Sequence, residues 1–510
     1  TFQIGFTSPL SVLLYFYTKR NHSYWAKKNV KHDPPLPFFG NHLPNLLLKR
    51  SALELGVEYY NKYKNEKIVG YYRGSTPELI IMDPDIIKQV LSQDFYHFYA
   101  RGTNVKSEKN TLLDNLFFAE GDQWRLLRQR YPASFSLSKL KAMFPLIVRC
   151  AEKLHEFGES IVESGQDVCA WSLMARFTME FIGSCGFGVE LDTITSGNDN
   201  IIKLAKKFFD KSNLQIFLLN FDEVCNISKV IPGFYAVNKD FERAVINITK
   251  SVREQRNFKP SGRNDFMDIL LEIEAMGKLE MDSMFVKNPD GSPATIELEM
   301  DLYCIAAQVF LFLMAGFETS ALATSGLLHQ LAYHQEIQRD IQKEIDCTLS
   351  KYDNKLCYDA VNELSLLKMS LKESMRILPP SGLNRRTCTK QYTIPGTDVT
   401  IDPGVKVFIP TQALHMDPKY FDNPKEFRPE RFSPQASAER HGFVYMPFGE
   451  GPRKCPAYLQ SLAGVAALLR EFNVEPAAAS KKELTFKKSS FLVQVVEGGI
   501  PIRLTRRRNK

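Results

Sequence analysis

One stretch constrains the fold more than any other. Residues 302–317 read LYCIAAQVFLFLMAGF without a single charge, closed by Asp301 on one side and Glu318 on the other. At about sixteen residues the run falls short of the roughly 20 that a helix needs to cross a bilayer. A helix apolar on every side must then lie at the centre of a large protein, with other elements packed all round it. The chain is long enough to supply them. Its 510 residues are 44% hydrophobic and 24% charged, close to the average of soluble globular proteins, which excludes disordered, collagen-like and coiled-coil chains. Thirty-six Phe and 20 Tyr against 3 Trp give it an aromatic, apolar interior, and a chain of this length buries its core without staples.

Helical periodicity dominates from Ala52 to about Leu378, clearest over residues 86–91, 141–162, 266–275 and 296–346. After Pro379 the Pro and Gly punctuation thickens and short alternating stretches appear, at 405–408 and at 491–496 followed by Gly498-Gly499 and 500–504. The last two read as a hairpin. No internal repeat or Gly/Ser linker divides the chain. The expectation is a mainly α fold with small β-sheets, in one large domain.

The formal charge of +7, from 65 Lys+Arg against 58 Asp+Glu, is mild, and no dense basic block occurs before Arg506-Arg507-Arg508. That argues against nucleic acid as a partner. It leaves plain solvated charge or a patch for an acidic protein or an anionic membrane. The nine cysteines (150, 169, 185, 225, 304, 347, 357, 388 and 455) are scattered without any C-x-x-C pair. A structural zinc site and a small secreted disulfide scaffold are both disfavoured, and a reducing compartment with most thiols acting as core hydrophobes is expected. The sequons at Asn21, Asn226 and Asn247 stay bare on a cytosol-facing domain.

Residues 4–17, IGFTSPLSVLLYFY, form an apolar run of about fourteen residues interrupted by Pro9 and followed by Lys19, Arg20, Lys27, Lys28 and Lys31. With no initiator Met before it, the run reads as a membrane anchor whose start is missing, and the positive-inside rule leaves the following domain in the cytosol. A cleaved signal peptide fits worse, because no small-residue cleavage site follows; the alternative is a helix or strand packed on the body. Pro34-Pro35-Leu36-Pro37 is a stiff extended segment, serving as a spacer or as a turn into the first strand. The expected division is residues 1–31 as truncated anchor and basic flank, 32–40 as a Pro-rich hinge, and 41–510 as the catalytic domain.

The chemistry concentrates in residues 448–457, FGEGPRKCPA. Two Gly and a Pro make a tight loop, Arg453 and Lys454 precede Cys455, and an apolar helical run follows. Neighbouring cations and the positive end of a helix both favour a thiolate, and Pro456 suits a first helical position. Such a sulfur is a nucleophile, a metal ligand or an inert buried thiol. For a nucleophile, His441 offers no recognisable partner pattern. A soft anionic ligand to haem iron accounts for more of the loop, with Phe448 near the porphyrin and Arg453 on a propionate. Upstream, Ala315-Gly316-Phe317-Glu318-Thr319 closes the apolar run. A mid-helix Gly costs about 1 kcal/mol relative to Ala, so Gly316 marks either a flat ligand's close approach or a helix crossing. Thr319 can divert its hydroxyl from the helix ladder and hold a water.

These residues bring the chain to a family. F-x-x-G-x-R-x-C is the pattern of cytochrome P450, which the sequence resembles over almost its whole length. Ala315-Gly316-x-Glu318-Thr319 resembles the family's oxygen-activating A-G-x-[DE]-T. Glu373-x-x-Arg376 resembles its buried ion pair, which Arg431 in Phe427-Arg428-Pro429-Glu430-Arg431-Phe432 joins. Trp124-x-x-x-Arg128 resembles the helix that reaches a propionate. Asn115-Leu116-Phe117-Phe118, residues 263–267 and residues 446–451 are similar in wording to insect microsomal members that handle foreign compounds. Two positions blur the pattern: Ala457 stands where the family usually has Gly, and the second propionate Arg is Arg385 or Arg386, the spacing to Cys388 favouring Arg386.

The resemblance implies haem b (iron protoporphyrin IX) held through Cys455, with Arg453, Phe448, Trp124, Arg128, Arg386, Ala315 and Gly316 around it. It implies Thr319 and Glu318 as the alcohol and acid that handle oxygen and protons, and O2 and NADPH-derived electrons as co-substrates. Residues 183–188 hold glycines at the wrong spacing for a dinucleotide loop, with no strand before them, so electrons are expected from another protein, which the resemblance implies is NADPH–cytochrome P450 reductase, with cytochrome b5 as a second donor. Arg125, Arg130 and Lys454 are docking candidates. An apolar small molecule is expected as substrate, membrane lipid as a contact, and the endoplasmic reticulum membrane as the location. Phe95, Tyr96, Phe98, Leu113, Phe117, Phe118, Phe310, Phe312, Ala315, Val495 and residues 208–234 are candidate substrate contacts. The competing readings are a thiolate-haem hydroperoxide isomerase or dehydratase, whose members usually lack the acid–alcohol pair, and a non-catalytic haem-binding protein.

Overall fold

A computed structural model describes residues 9–103, 111–130, 137–195, 200–209, 211–225, 237–455, 459–490 and 492–507. The mainly α expectation holds. The helices that matter for the site are α1 (Pro9–Lys19), α2 (Gly121–Arg130), α3 (Leu137–Ser164), α4 (Ala170–Phe181), α5 (Asn213–Cys225), α6 (Leu302–Tyr333), α7 (Gln335–Leu349), α8 (Ser365–Ile377) and α9 (Leu459–Glu471).

The uncharged run forms the first half of α6, whose N-terminus is capped by Asp301 accepting from the Cys304 N–H at 2.8 Å. Among the described helices it alone has the length and apolarity to cross a membrane, and it is instead enclosed by α4, α8 and α9, as an all-round apolar helix must be. The continuous core round it includes Phe177 and Leu173 of α4, Leu367 and Leu371 of α8, and Leu462, Val465 and Leu469 of α9.

The sheets are small and peripheral. β1 (Ile68–Arg73) and β2 (Thr76–Ile81) are antiparallel. β2 pairs in parallel with β9 (Lys406–Ile409), which pairs antiparallel with β6 (Asn384–Thr387). β10 (Phe472–Pro476) pairs with β11 (Pro501–Arg506), and β11 with β3 (Val168–Cys169). β4 (Leu279–Lys287) and β5 (Pro293–Leu298) form a hairpin against α2, and β7 (Tyr392–Thr393) pairs with β8 (Thr400–Ile401).

Three expectations change here. The region from Ala52 to Leu378 contains β1, β2 and the β4–β5 hairpin. Residues 296–346 divide into the end of β5, α6 and the start of α7. The expected terminal hairpin does not form between 491–496 and 500–504: Phe486 bridges to Val496, while Ile502 and Leu504 cross to Pro476 and Val474. Period alone assigned the wrong partner, since pairing depends on which edge lies nearby. The Pro-rich segment is a turn seated on the sheet: Leu36 and Gly40 exchange backbone hydrogen bonds, and Gly40 bridges to Arg73. Trp25 is fully buried against Gly70 of β1, so packing on the sheet begins before residue 32.

Candidate active site

The loop before Cys455 is shaped by two left-handed glycines, Gly449 (φ +68°) and Gly451 (φ +76°). At Gly451 a Cβ would lie 1.8 Å from the Leu91 carbonyl oxygen, so only glycine lets the loop rest on that turn. The Cys455 N–H donates to the Phe448 carbonyl at 3.0 Å and the Lys454 N–H to Gly451 at 2.9 Å. Farther back, the Met446 N–H donates to His415 Nε2 at 3.0 Å. These bonds present Cys455 exposed at the end of the loop, ahead of α9. Pro456 and Ala457 lie outside the described residues. None of the nine cysteines is in a disulfide.

Four arginines gather round this sulfur. Arg453 is buried, donates to the Ala119 carbonyl at 2.9 Å and lies over the Trp124 ring at 4.5 Å. Arg128, one turn along α2 from Trp124, reaches the Lys454 carbonyl at 3.4 Å. Arg386 of β6 is buried and donates to the Arg385 carbonyl at 2.7 Å. Arg101 donates to the Phe117 carbonyl at 3.1 Å and sits 4.1 Å from that ring. Burial and the other cations push Arg453 down to about 8. Burial with Arg101 beside it takes Arg386 to about 9, and burial takes Arg101 to about 10. Arg453 Nε and Nη1 and Arg386 Nε have no hydrogen-bond partner, and among the described residues none of the four makes an ion pair. A guanidinium does not deprotonate in a protein, so buried cations crowded together are unfavourable unless an anion joins them. A ligand with two carboxylates supplies that anion. Among the described residues no group of three or more His, Cys, Asp or Glu could hold a bare metal ion. The donor set therefore fits iron brought in by a dicarboxylate macrocycle, with Cys455 as its one protein ligand.

Arg385 and Arg386, inseparable by motif, separate here. Arg385 pairs with Glu223 of α5 at 2.8 Å, and Arg73 of β1 reaches the same carboxylate at 2.5 Å. Only Arg386 joins the cations near Cys455. Arg101 is a site residue the sequence reading missed, because a lone Arg after an aromatic stretch carries no motif.

On α6, Ala315 is exposed and Thr319 half-buried while Met314, Phe317, Glu318 and Ser320 are buried; four residues apart, Ala315 and Thr319 share one helix face. The Thr319 hydroxyl donates to the Ala315 carbonyl at 2.5 Å, so in this structure it is turned back on the helix. Glu318 is buried; its Oε1 accepts from Trp171 Nε1 of α4 at 3.1 Å, and its side chain shares a small pocket with Phe208, Phe209, Leu492, Val493 and Val495. Trp171 also went unnoticed in the sequence. Gly316 lies at a helix crossing: a Cβ there would stand 3.3 Å from the Ile182 side chain, so the crossing favours a small residue at this position.

The expected buried ion pair is present. Arg376 donates to both oxygens of Glu373, at 2.8 and 2.9 Å, and Arg431 Nε lies 3.3 Å from Glu373, with Glu373 and Arg376 both 0% exposed. Arg376 also donates to the carbonyls of His415 and Pro424, each at 2.8 Å. Several expected substrate contacts are core instead. Phe95 packs on Trp124, Phe98 on Tyr392, and Phe310 on Phe208 and Phe241. Phe312 stacks on Phe266 but is only partly buried. Phe117 and Phe118 remain only partly buried; residues 226–234 lie outside the described residues. Of the docking candidates, Arg125 donates to the Asp282 carbonyl of β4 at 3.1 Å, Lys454 pairs with Glu450 at 2.6 Å, and Arg130 is exposed.

Comparison with known proteins is consistent with this arrangement. The family model described as Cytochrome P450 matches residues 31–501. Cytochrome P450 6B2 of Helicoverpa armigera is 35% identical over 509 residues, covering 98% of each chain. Cytochrome P450 6B1 of Papilio polyxenes is 33% identical over 518 residues, covering 99% of each, and cytochrome P450 6a2 of Drosophila melanogaster is 32% identical over 510, covering 97% of each.

Proposed function

The chain belongs to the cytochrome P450 family and is a haem-thiolate monooxygenase, and from that premise we propose that it oxidises apolar foreign compounds, plant toxins and insecticides foremost and lipids as a further class, with electrons drawn from NADPH through a separate reductase. The observation that carries this reading is the set of four arginines, two buried and two partly buried, that make no ion pair among the described residues and gather near one exposed thiol. Arg453, Arg386, Arg128 and Arg101 would hold the two propionates, Cys455 would ligate the iron, and Phe448, Trp124 and Ala315 would border the ring. Haem bound there supplies the oxygen-activating redox chemistry that no side chain can. The overall balance is RH + O2 + NADPH + H+ giving ROH + H2O + NADP+.

The rest falls to the chain. The Thr319 oxygen, while donating to Ala315, keeps lone pairs to accept a hydrogen bond from water. Turned from that carbonyl, the hydroxyl would donate to one water while accepting from another, relaying a proton along the α6 face with no net change of its own. Glu318 is the next acid in the path, kept in a fixed orientation by the Trp171 N–H. Its buried, largely apolar surroundings limit how much water reaches the same space. Membership of the family supports electron supply by a separate redox partner, NADPH–cytochrome P450 reductase with cytochrome b5 as second donor, for which exposed Arg130 and Lys454 are docking candidates. Helix α1 exposes Leu13, Phe16 and Tyr17 and is followed by Arg20 and Lys27. This supports attachment to the endoplasmic reticulum membrane with the body in the cytosol.

Reconstitution with the reductase and NADPH tests the reading. Product from an apolar substrate and a thiolate-type band in the reduced carbon monoxide spectrum are expected. Cys455→Ala abolishes that band. Thr319→Ala keeps it but diverts electrons to peroxide, and full coupling in that variant would remove Thr319 from its role.

A further inference from the structure

Residues 111–118, which carry Phe117 and Phe118, lie between Arg101 and α2 and are anchored far from both in sequence. Gln308 of α6 is 2% exposed, and both ends of its amide are used on the backbone of this loop. Its Oε1 accepts from the Leu116 N–H at 3.1 Å and its Nε2 donates to the Asp114 carbonyl at 3.2 Å. Gln308 stands seven residues before Ala315 and eleven before Thr319, so by the 3.6-residue period all three lie on one face of α6, with Gln308 about 10 Å along the axis from Ala315. The clamp therefore lies on the face on which the alcohol sits. At its other end the loop is held by Arg101, one of the four cofactor cations, through the Phe117 carbonyl. Between these points buried Asn115 shapes it, donating to the Leu112 carbonyl at 2.7 Å and accepting from the Phe117 and Phe118 N–H groups at 3.0 and 3.3 Å.

We infer that Gln308 is a specificity-determining positioning residue: its two amide hydrogen bonds fix the height of the Phe117–Phe118 loop over the Ala315–Thr319 face, and so set how large a ligand that face admits. A buried amide satisfied only for packing would bond wherever a partner lay nearby. Gln308 instead grips two backbone groups of one loop, two residues apart, as a rung does. Losing both bonds, with buried groups left unsatisfied, loosens the loop by roughly ten- to a hundredfold in its opening equilibrium.

The inference rests on the cofactor pocket described above, and its test uses the haem-loaded protein without turnover. Gln308→Met keeps the shape and loses both bonds; Gln308→Glu keeps the acceptor for Leu116 and loses the donor to Asp114. Amide exchange is followed at Leu116, and imidazole and 4-phenylimidazole are titrated by absorption. In the wild type the Leu116 amide is protected. Gln308→Met should speed its exchange at least tenfold and change the ratio of 4-phenylimidazole to imidazole affinity at least fivefold, with the carbon monoxide spectrum unchanged; Gln308→Glu should fall between. An unprotected Leu116 amide in the wild type overturns the clamp even if Gln308→Met does not fold. Faster exchange with an unchanged affinity ratio overturns the specificity role, leaving Gln308 as structure alone. Failure of NADPH-driven turnover would strike the proposed reaction and leave both readouts standing.

Discussion

Two arginine clusters lie near the loop that ends in Cys455, and they differ in how their charge is balanced. In the first, Arg376 and Arg431 converge on Glu373, and the remaining donors of Arg376 go to the carbonyls of His415, Pro424 and Glu426. In the second, Arg101, Arg128, Arg386 and Arg453 lie close together with backbone carbonyls and ring faces as their hydrogen-bond and stacking partners and no ion pair among the described residues, Glu120 acting on Arg453 only through space, and burial lowers all four. Arg376 and Arg431 in the first and Arg386 and Arg453 in the second are buried, and Arg101 and Arg128 partly so; what separates the clusters is charge compensation. A compensated cluster closes on itself and holds elements together. An uncompensated one has a site's worth of affinity left for an anion. The boundary runs between adjacent residues of β6. Burial alone would push Glu223 up, yet Arg385 and Arg73 overcome it and hold its carboxyl well below the usual range, whereas Arg386 next door has no such acid.

The contrast can be broken most violently at Glu373. Glu373→Leu strands two buried guanidinium groups and should cost about 3–5 kcal/mol, seen in denaturant unfolding as loss of most of the folded population; a shift under 1 kcal/mol would mean the triad is not the closed cluster described. Next in size, the neighbours in β6 should respond with opposite signs in cofactor-free protein. Arg385→Met destabilises by about 1–3 kcal/mol, because Glu223 loses one of its two cations. Arg386→Met leaves stability level or raises it by about 1 kcal/mol, while weakening haem retention. Equal losses at both positions would erase the distinction.

His415 sharpens the comparison from between the clusters, since its carbonyl accepts from Arg376 and its Nε2 from the Met446 N–H. Burial first, and then Arg376, push its imidazole down to about 3 from the usual 6.5. Between those values the unfolded chain binds a proton that the folded chain refuses. Its contribution to stability is therefore complete above about pH 6.5 and drains away as pH falls toward 3. A thermal midpoint that falls less steeply over that window in His415→Gln than in wild type is the expected result. The smallest effect belongs to the exposed Lys454–Glu450 pair beside the same loop: Lys454→Gln should change stability by less than about 1 kcal/mol and register mainly in the salt dependence of reductase-driven electron transfer.

Much of the site was legible because its parts are local. The loop glycines, Arg453 and Cys455 stand within a few residues of one another, and Glu373-x-x-Arg376 and Trp124-x-x-x-Arg128 each meet across one helical turn. What was not legible depended on distant neighbours. Phe95 and Phe98 could line a cavity or fill a core, and only Trp124 and Tyr392 beside them decide it. Gly316 fits a flat ligand or a crossing helix, and only Ile182 beside it shows that a crossing is there, without removing the ligand. Arg101 and Trp171 carry no pattern at all; one is defined by three arginines up to some 350 residues away along the chain, the other by a carboxylate on α6.

The order of residues thus determined that a central apolar helix must be wrapped, that the fold would be largely helical, and that a cysteine with two preceding cations would end a tight loop. These follow from period, hydropathy and short-range sterics, which act over a few residues. Which arginine balances an acid and which is left to receive a ligand was decided only by tertiary structure. Coulomb attraction and desolvation depend on distance in space and on burial, and neither is encoded at any one position in the chain.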